Sequence, residues 1–230
     1  MPYIKLTAKY DVRGVFKKDE VIDLDFEKKP VITLVGKNGS GKSTIVNSIR
    51  LFKCDNKKKG SESLSKHDNQ MSLGGAFDIE TDFKKIFVVS SEYDDPLSMN
   101  NSYDACMFVD FGGFYTSHIS KGQRFQFVFA NFVKENNSQF DENTLVILDE
   151  PDNGFDLYNQ KKTGNLPFLM WLKHDCNVLF ITHSAVSILK SHDVYNLEKR
   201  EFVDGKDYIK EVCVLDLIIN NKIQDKEDEQ

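Results

Sequence analysis

Gly36-Lys37-Asn38-Gly39-Ser40-Gly41-Lys42-Ser43-Thr44 spells GxxxxGK[ST] in full, and its reading decides the fold. It follows a short apolar run, Val31–Val35, bounded by Pro30 and Gly36. That run predicts a buried parallel strand, and residues 42–53 predict the helix that follows it. Glycines let successive backbone N–H groups turn inward and approach an anion closely. A helix beginning at Lys42 aims the positive end of its dipole at the same place. Lys42 is expected to reach a nucleotide's β- and γ-phosphates, and the Ser43 hydroxyl to take one Mg²⁺ coordination position.

Outward from this loop, residues 3–9 and 21–26 alternate in period two and predict two strands. Residues 76–80, 86–90 and 107–111 predict further strands, and 144–148 and 177–182 two buried ones. Helices are expected at 120–132, 166–173 and 185–190. Residues 55–75 are polar and read as a loop, while 194–197 and the residues either side of Gly205 read as a closing hairpin. Strands alternating with helices predict an α/β fold, a P-loop NTPase core with a mainly parallel sheet. N-terminal antiparallel strands and a small helical lobe complete the expectation.

Hydrophobic residues make up 40% and charged residues 29% of the 230-residue chain, an ordinary balance for a globular protein. The net charge of −6 gives no global basic field for nucleic acid. Cys54, Cys106, Cys176 and Cys213 show neither CxxC pairing nor metal-ligand spacing. No stretch reads as a signal peptide or approaches the roughly 18 apolar residues of a membrane span. These features predict a reduced, cytoplasmic protein with no transmembrane segment of its own.

A second constellation lies where the apolar run 145–148 meets Asp149-Glu150-Pro151. Burying charge without a partner is costly, and Mg²⁺ supplies one. Asp149 is expected to hold the metal with Ser43, while Glu150 polarises the attacking water.

At this point the residues resemble the ABC-type (ATP-binding cassette) ATPase superfamily, over nearly the whole chain. Asp149–Asp156, DEPDNGFD, aligns on the pattern in which a Walker B strand leads to the D-loop aspartate. Phe180-Ile181-Thr182-His183-Ser184 resembles the switch segment, and Ile119-Ser120-Lys121-Gly122-Gln123 the signature that opens a helix. The resemblance implies an ATP hydrolase using ATP and Mg²⁺, with Lys42, Glu150 and His183 catalytic. It implies nucleotide binding by Lys37, Asn38, Gly39, Ser40, Gly41, Lys42, Ser43 and Thr44. Ser120, Lys121, Gly122 and Gln123 would meet the nucleotide of an opposite subunit in a head-to-tail homodimer, with Asn153 and Asp156 along the seam. One domain is expected over 1–222, with a signature lobe at about 54–135 and a charged tail at 223–230.

The pattern is broken in places. Lys121 stands where the signature carries Gly, and either adds charge near the triphosphate or points to solvent. No glutamine follows the strand at 86–90, leaving Ser91 or Glu92 to do its work. Tyr10, Phe16 or Arg13 could stack on the adenine. The start of the chain and Thr182-His183-Ser184 are more similar to soluble relatives of the SMC, RecF and OLD-like group than to transporter subunits. That similarity implies coupling to a separately encoded effector or to nucleic acid, in DNA repair, mobile-element biology or defence. The alternative is the ATPase subunit of a membrane ABC transporter.

Overall fold

The computed structural model describes residues 2–12, 14–58, 75–90 and 121–212, with side chains left undescribed at 53–58 and 121–124. Three strands form an antiparallel sheet in the order β2-β1-β4, namely Val21–Asp25, Tyr3–Ala8 and Phe77–Thr81. A six-stranded sheet runs β5-β6-β7-β3-β8-β9, with β3 at Val31–Val35, β5 at Lys85–Ser90 and β6 at Thr144–Asp149. Its other strands are β7 (Asn177–Ile181), β8 (Asp193–Asn196) and β9 (Glu201–Asp204). All pairings in it are parallel except β8 with β9.

The helices are α1 (Lys42–Lys58), α2 (Lys121–Asn136), α3 (Leu157–Thr163), α4 (Leu166–His174), α5 (Ala185–Lys190) and α6 (Gly205–Val212). The period-two geometry of a strand sends alternate side chains to opposite faces, so an all-apolar strand feeds two cores. On β6, Leu145 and Ile147 enter one core while Val146 and Leu148 enter the other. The first core joins Ile4 and Leu6 of β1 to Ile45 and Ile49 of α1. The second carries Phe125 of α2 and Met170 of α4. Each fully buried Leu, Ile or Phe contributes roughly 1.5–3 kcal/mol, so the two layers clamp β3, β6 and β7 firmly.

Three expectations need correction. Residues 55–58, read as loop, continue α1, because the sequence offers no Gly or Pro breaker before Gly60. The chain beyond Gly205 is helix and not the return strand of a hairpin. Asp204 caps it, its Oδ1 accepting from the N–H groups of Lys206 (2.8 Å) and Asp207 (3.2 Å). The short helix α3 was not anticipated; Asp156 caps it by accepting from the Asn159 N–H at 2.8 Å. The expected strand at 107–111 and most of the expected loop, residues 59–74, lie outside the described residues.

Candidate active site

Strand order brings three segments together, because β7 lies between β3 and β6. The glycine loop leaves β3, Asp149-Glu150 ends β6, and Thr182-His183 follows β7. They meet at a cavity of about 310 Å³ at the carboxyl ends of the strands, where open α/β sheets place their ligands. Asn38, Gly39, Gly41, Lys42, Ser43 and Thr44 form one side of it, with Glu150 and His183 opposite. Val12, Val15 and Phe16 supply an apolar wall.

Left-handed backbone shapes the loop: φ is +84° at Gly39 and +95° at Gly41, a region open to glycine at little cost. A Cβ on Gly41 would also strike the Phe16 ring. The Lys42 ammonium donates to the carbonyls of Gly36 (2.7 Å) and Lys37 (2.9 Å) and to Ser40 Oγ (3.3 Å). Burial pushes its pKa down, while the charges of Glu150, Glu198 and Asp149 pull the other way. Lys37 contributes backbone only; its own ammonium faces outward toward Glu198, 3.7 Å away.

Asp149 is 7% exposed and closes the ladder, in register with Ser90 on one side and Ile181 on the other. The next residue turns sharply. Glu150 has a φ of +49°, and its N–H donates to the Ile181 carbonyl at 2.9 Å. A non-glycine residue held left-handed marks a position fixed by its surroundings. His183 Nε2 lies 3.3 Å from Glu150 Oε1, and Asn153 Nδ2 donates to Glu150 Oε2 at 3.3 Å. The hydrogen bond from His183 holds the Glu150 carboxyl below its ordinary pKa against the opposing effect of burial, with Lys42 and Asn153 adding to the depression. Glu150 is thus kept ionised and aimed into the cavity beside a cation, an arrangement able to accept a proton from a bound water.

The structure brings Lys42, Ser43, Thr44, Asn38, Gly39, Gly41, Glu150 and His183 around one cavity. Ser40 and Asp149 are buried just behind it. Asn153 meets Glu150, whereas the Asp156 carboxylate is engaged in capping α3. Lys121, Gly122 and Gln123 occupy the first turn of α2. Ser120, Ser91, Glu92 and Arg13 lie outside the described residues. Of the two other candidates for stacking, Phe16 is in the wall, packed edge-on to Phe77 with ring centroids 5.0 Å apart. Tyr10 is exposed and does not line the cavity.

Sequence reasoning missed Val12, Val15 and Arg200. The Arg200 guanidinium stacks 4.5 Å from the Phe16 centroid, donates to Glu20 Oε1 at 2.6 Å and to the Val15 carbonyl at 3.0 Å. No local signal links residues so far apart in the chain.

The donor set fits Mg²⁺. Among the described residues no cluster of three or more His, Cys, Asp or Glu side chains could cage a metal by itself. Mg²⁺ needs none, since it takes one or two protein ligands and completes its shell with phosphate oxygens and water. Ser43 in the wall and the buried Asp149 carboxylate are the two side chains that could hold it, and burial at that depth favours a cationic partner.

The comparisons with known proteins point to an ATPase domain. The family profile described as AAA ATPase domain matches residues 16–226. The zinc import ATP-binding protein ZnuC of Rickettsia conorii is 28% identical over 178 residues, covering 75% of this chain and 72% of that protein. ZnuC of Rickettsia prowazekii is 28% identical over 173 residues, covering 73% and 70%. Among solved structures, one described as an inward-facing conformation of a metal-chelate type ABC transporter is similar at a TM-score of 0.51. It is 18% identical and covers 90% of this chain and 85% of that one, a likeness of fold. No helix among the described residues is long and apolar enough to cross a membrane.

Proposed function

The chain belongs to the AAA ATPase domain family and is an ATP-hydrolysing enzyme of the ABC type, and we propose that it works as a cytoplasmic head-to-tail homodimer holding two ATP molecules in its seam. The observation that carries this reading is the convergence of Lys42, Glu150 and His183 on one cavity at the strand ends. One ATPase domain spans 1–222, with the signature lobe at about 54–135 and a charged tail at 223–230.

Each side chain has a task. Lys42 leaves its loop carbonyls for the β- and γ-phosphates, and the amides at the start of α1 hold the phosphate chain. Ser43 and Asp149 hold Mg²⁺, which when bound neutralises charge on the phosphate oxygens. Glu150 orients and deprotonates the attacking water. His183, bonded to Glu150, also reaches the γ-phosphate and responds to its loss. Ser120 and the Gly122 N–H, from the second subunit, complete the site, while Val15 and Phe16 form the apolar side nearest the base.

The dimer couples ATP turnover to a separately encoded effector or to nucleic acid. Support for this comes from the start of the chain and from Thr182-His183-Ser184, which resemble the soluble SMC, RecF and OLD-like ATPases. The experiment is ATP hydrolysis with and without duplex DNA, at low and high salt, together with sizing of Glu150→Gln in ATP. Stimulation by duplex that salt abolishes, and a dimer with ATP, are the expected results. A chain that stays monomeric in ATP overturns the dimer. The second reading, a subunit of a membrane transporter, is favoured by the relatives named as zinc import ATP-binding proteins. A permease gene beside this one, and stimulation by that permease in place of DNA, would decide for it.

A further inference from the structure

Asp152 takes no part in the chemistry above, yet it is only 4% exposed and lies two residues beyond Glu150. A carboxylate at that depth is costly unless hydrogen bonds satisfy it. Its Oδ2 accepts two, from Thr182 Oγ1 at 2.6 Å and from Ser187 Oγ at 2.7 Å. Both hydroxyls belong to buried residues. Thr182 immediately precedes His183, and Ser187 lies in the short helix α5 just after it. One carboxylate oxygen therefore clasps the His183 segment on both sides.

The clasp is part of a ring of bonds. Thr182 Oγ1 also accepts from the Ser184 N–H at 2.9 Å. Ser184 Oγ donates to Gln160 Oε1 at 2.9 Å, and the Gln160 amide donates to the Phe155 carbonyl at 3.0 Å. Phe155 lies in the same turn as Asp152. The paired strands beneath run in register to Asp149 and Ile181, and the Glu150 N–H to Ile181 carbonyl bond caps the ladder. Above that bond these side chains tie the two loops together.

We propose that Asp152 is a positioning residue, which fixes the segment carrying His183 against the turn carrying Glu150 and so sets the contact between those two side chains. It rests on the reading of Glu150 and His183 as the catalytic pair. Asp152 does not line the cavity; it acts through Thr182 and Ser187. Each of those hydroxyls has a single proton to donate, and removal of the shared acceptor strands both in the interior. Asparagine keeps an oxygen where Oδ2 stands and preserves both bonds. Alanine keeps neither.

The test compares Asp152→Ala, Asp152→Asn and Thr182→Val for ATP turnover and KM, and follows the imidazole resonance of His183 by NMR, assigned with His183→Gln. Asp152→Ala and Thr182→Val are expected to lower kcat about tenfold or more, the scale of a small misplacement of reacting groups. Both are expected to shift the His183 resonance while KM for ATP changes by less than about threefold. Asp152→Asn is expected to keep kcat within about threefold of wild type and to leave the resonance in place. Wild-type turnover with an unmoved His183 resonance in Thr182→Val overturns the proposal, as does an Asp152→Asn variant as impaired as Asp152→Ala. Should Asp152→Ala fail to fold, Thr182→Val against Asp152→Asn decides. A wild-type chain that hydrolyses no ATP counts against the catalytic reading instead, and the His183 resonance then tests the clasp on its own.

Discussion

The cavity at the carboxyl ends of β3, β6 and β7 measures about 310 Å³, and a second one, at the amino ends of β5, β6 and β7, about 430 Å³. Glu27, Asp82, Glu142 and Asp175 surround the larger one with Trp171, and all four carboxylates are exposed. At the smaller one a lysine and a carboxylate are buried, glycines hold left-handed backbone, and a 17-residue helix begins. Volume therefore does not identify the site. Polarity does. At the carboxyl ends, α1 presents its positive N-terminus to the cavity, whereas α4 ends at His174, beside the amino-end cavity, with its negative terminus. A triphosphate suits the first and is repelled by the second.

The largest effect that can break this contrast is loss of binding. Lys42→Ala is expected to weaken ATP binding by about a hundredfold or more in calorimetry, the scale of losing a charge-assisted contact to phosphate in a closed site. Glu142→Gln, at the other cavity, is expected to leave ATP affinity within about twofold and stability within about 0.5 kcal/mol. Equal losses from the two would erase the distinction between the cavities.

Next in size is Glu150→Gln. Turnover is expected to fall about a hundredfold or more, as for removal of a general base, with ATP still bound. A variant that hydrolyses ATP at the wild-type rate would remove Glu150 from the chemistry. Gly41→Ala should then show how far the loop depends on its backbone. With φ at +95° and Phe16 in the way, a loss of about 1–3 kcal/mol is expected, read as a lower Tm. An unchanged Tm would mean that the loop relaxes freely.

The smallest effect belongs to Cys176, beside the first residue of β7. Burial pushes its thiol up to about 12 from an ordinary value of 9.0. The native protein at pH 8 should resist alkylation there, and the unfolded chain should not. A raised folded-state value means the unfolded thiol ionises first. Its contribution to stability is thus intact below the ordinary value and declines as pH rises toward the folded one. Melting curves of wild type and Cys176→Ala should converge or cross in that alkaline window and stay parallel below it.

The sequence carried the chemistry further than it carried the walls. Local spelling exposed Lys42, Ser43, Asp149 and Glu150, because phosphate loops and strand-end carboxylates are written in consecutive residues. Val31–Val35 and Ala185–Lys190 were legible to the residue, since an apolar strand between Pro30 and Gly36 and a serine-capped helix announce their own ends. The helix after Gly205 was not, because Asp204 reads equally well as a turn residue and as a cap. Val12, Val15 and Arg200 were invisible for a different reason. They acquire meaning only when the loop after β1, the phosphate loop and the turn between β8 and β9 meet in space. Asp152 stood in plain view within DEPDNGFD, but its partners are Thr182 and Ser187, supplied by another strand and helix.

Arg200 and Glu20 meet across 180 residues of chain, and β3 pairs with β7 on one side and β8 on the other. During synthesis, which proceeds at roughly 5–20 residues per second, the glycine loop leaves the ribosome early and must wait for both of its sheet neighbours. The cavity wall at Phe16 waits longer still, until Arg200 arrives to cover it. A nascent or truncated chain ending before residue 200 would hold every residue that lines the cavity and lack the guanidinium that braces its apolar wall at Val15 and Phe16, so that the last support of the pocket is also among the last parts of the sheet to be made.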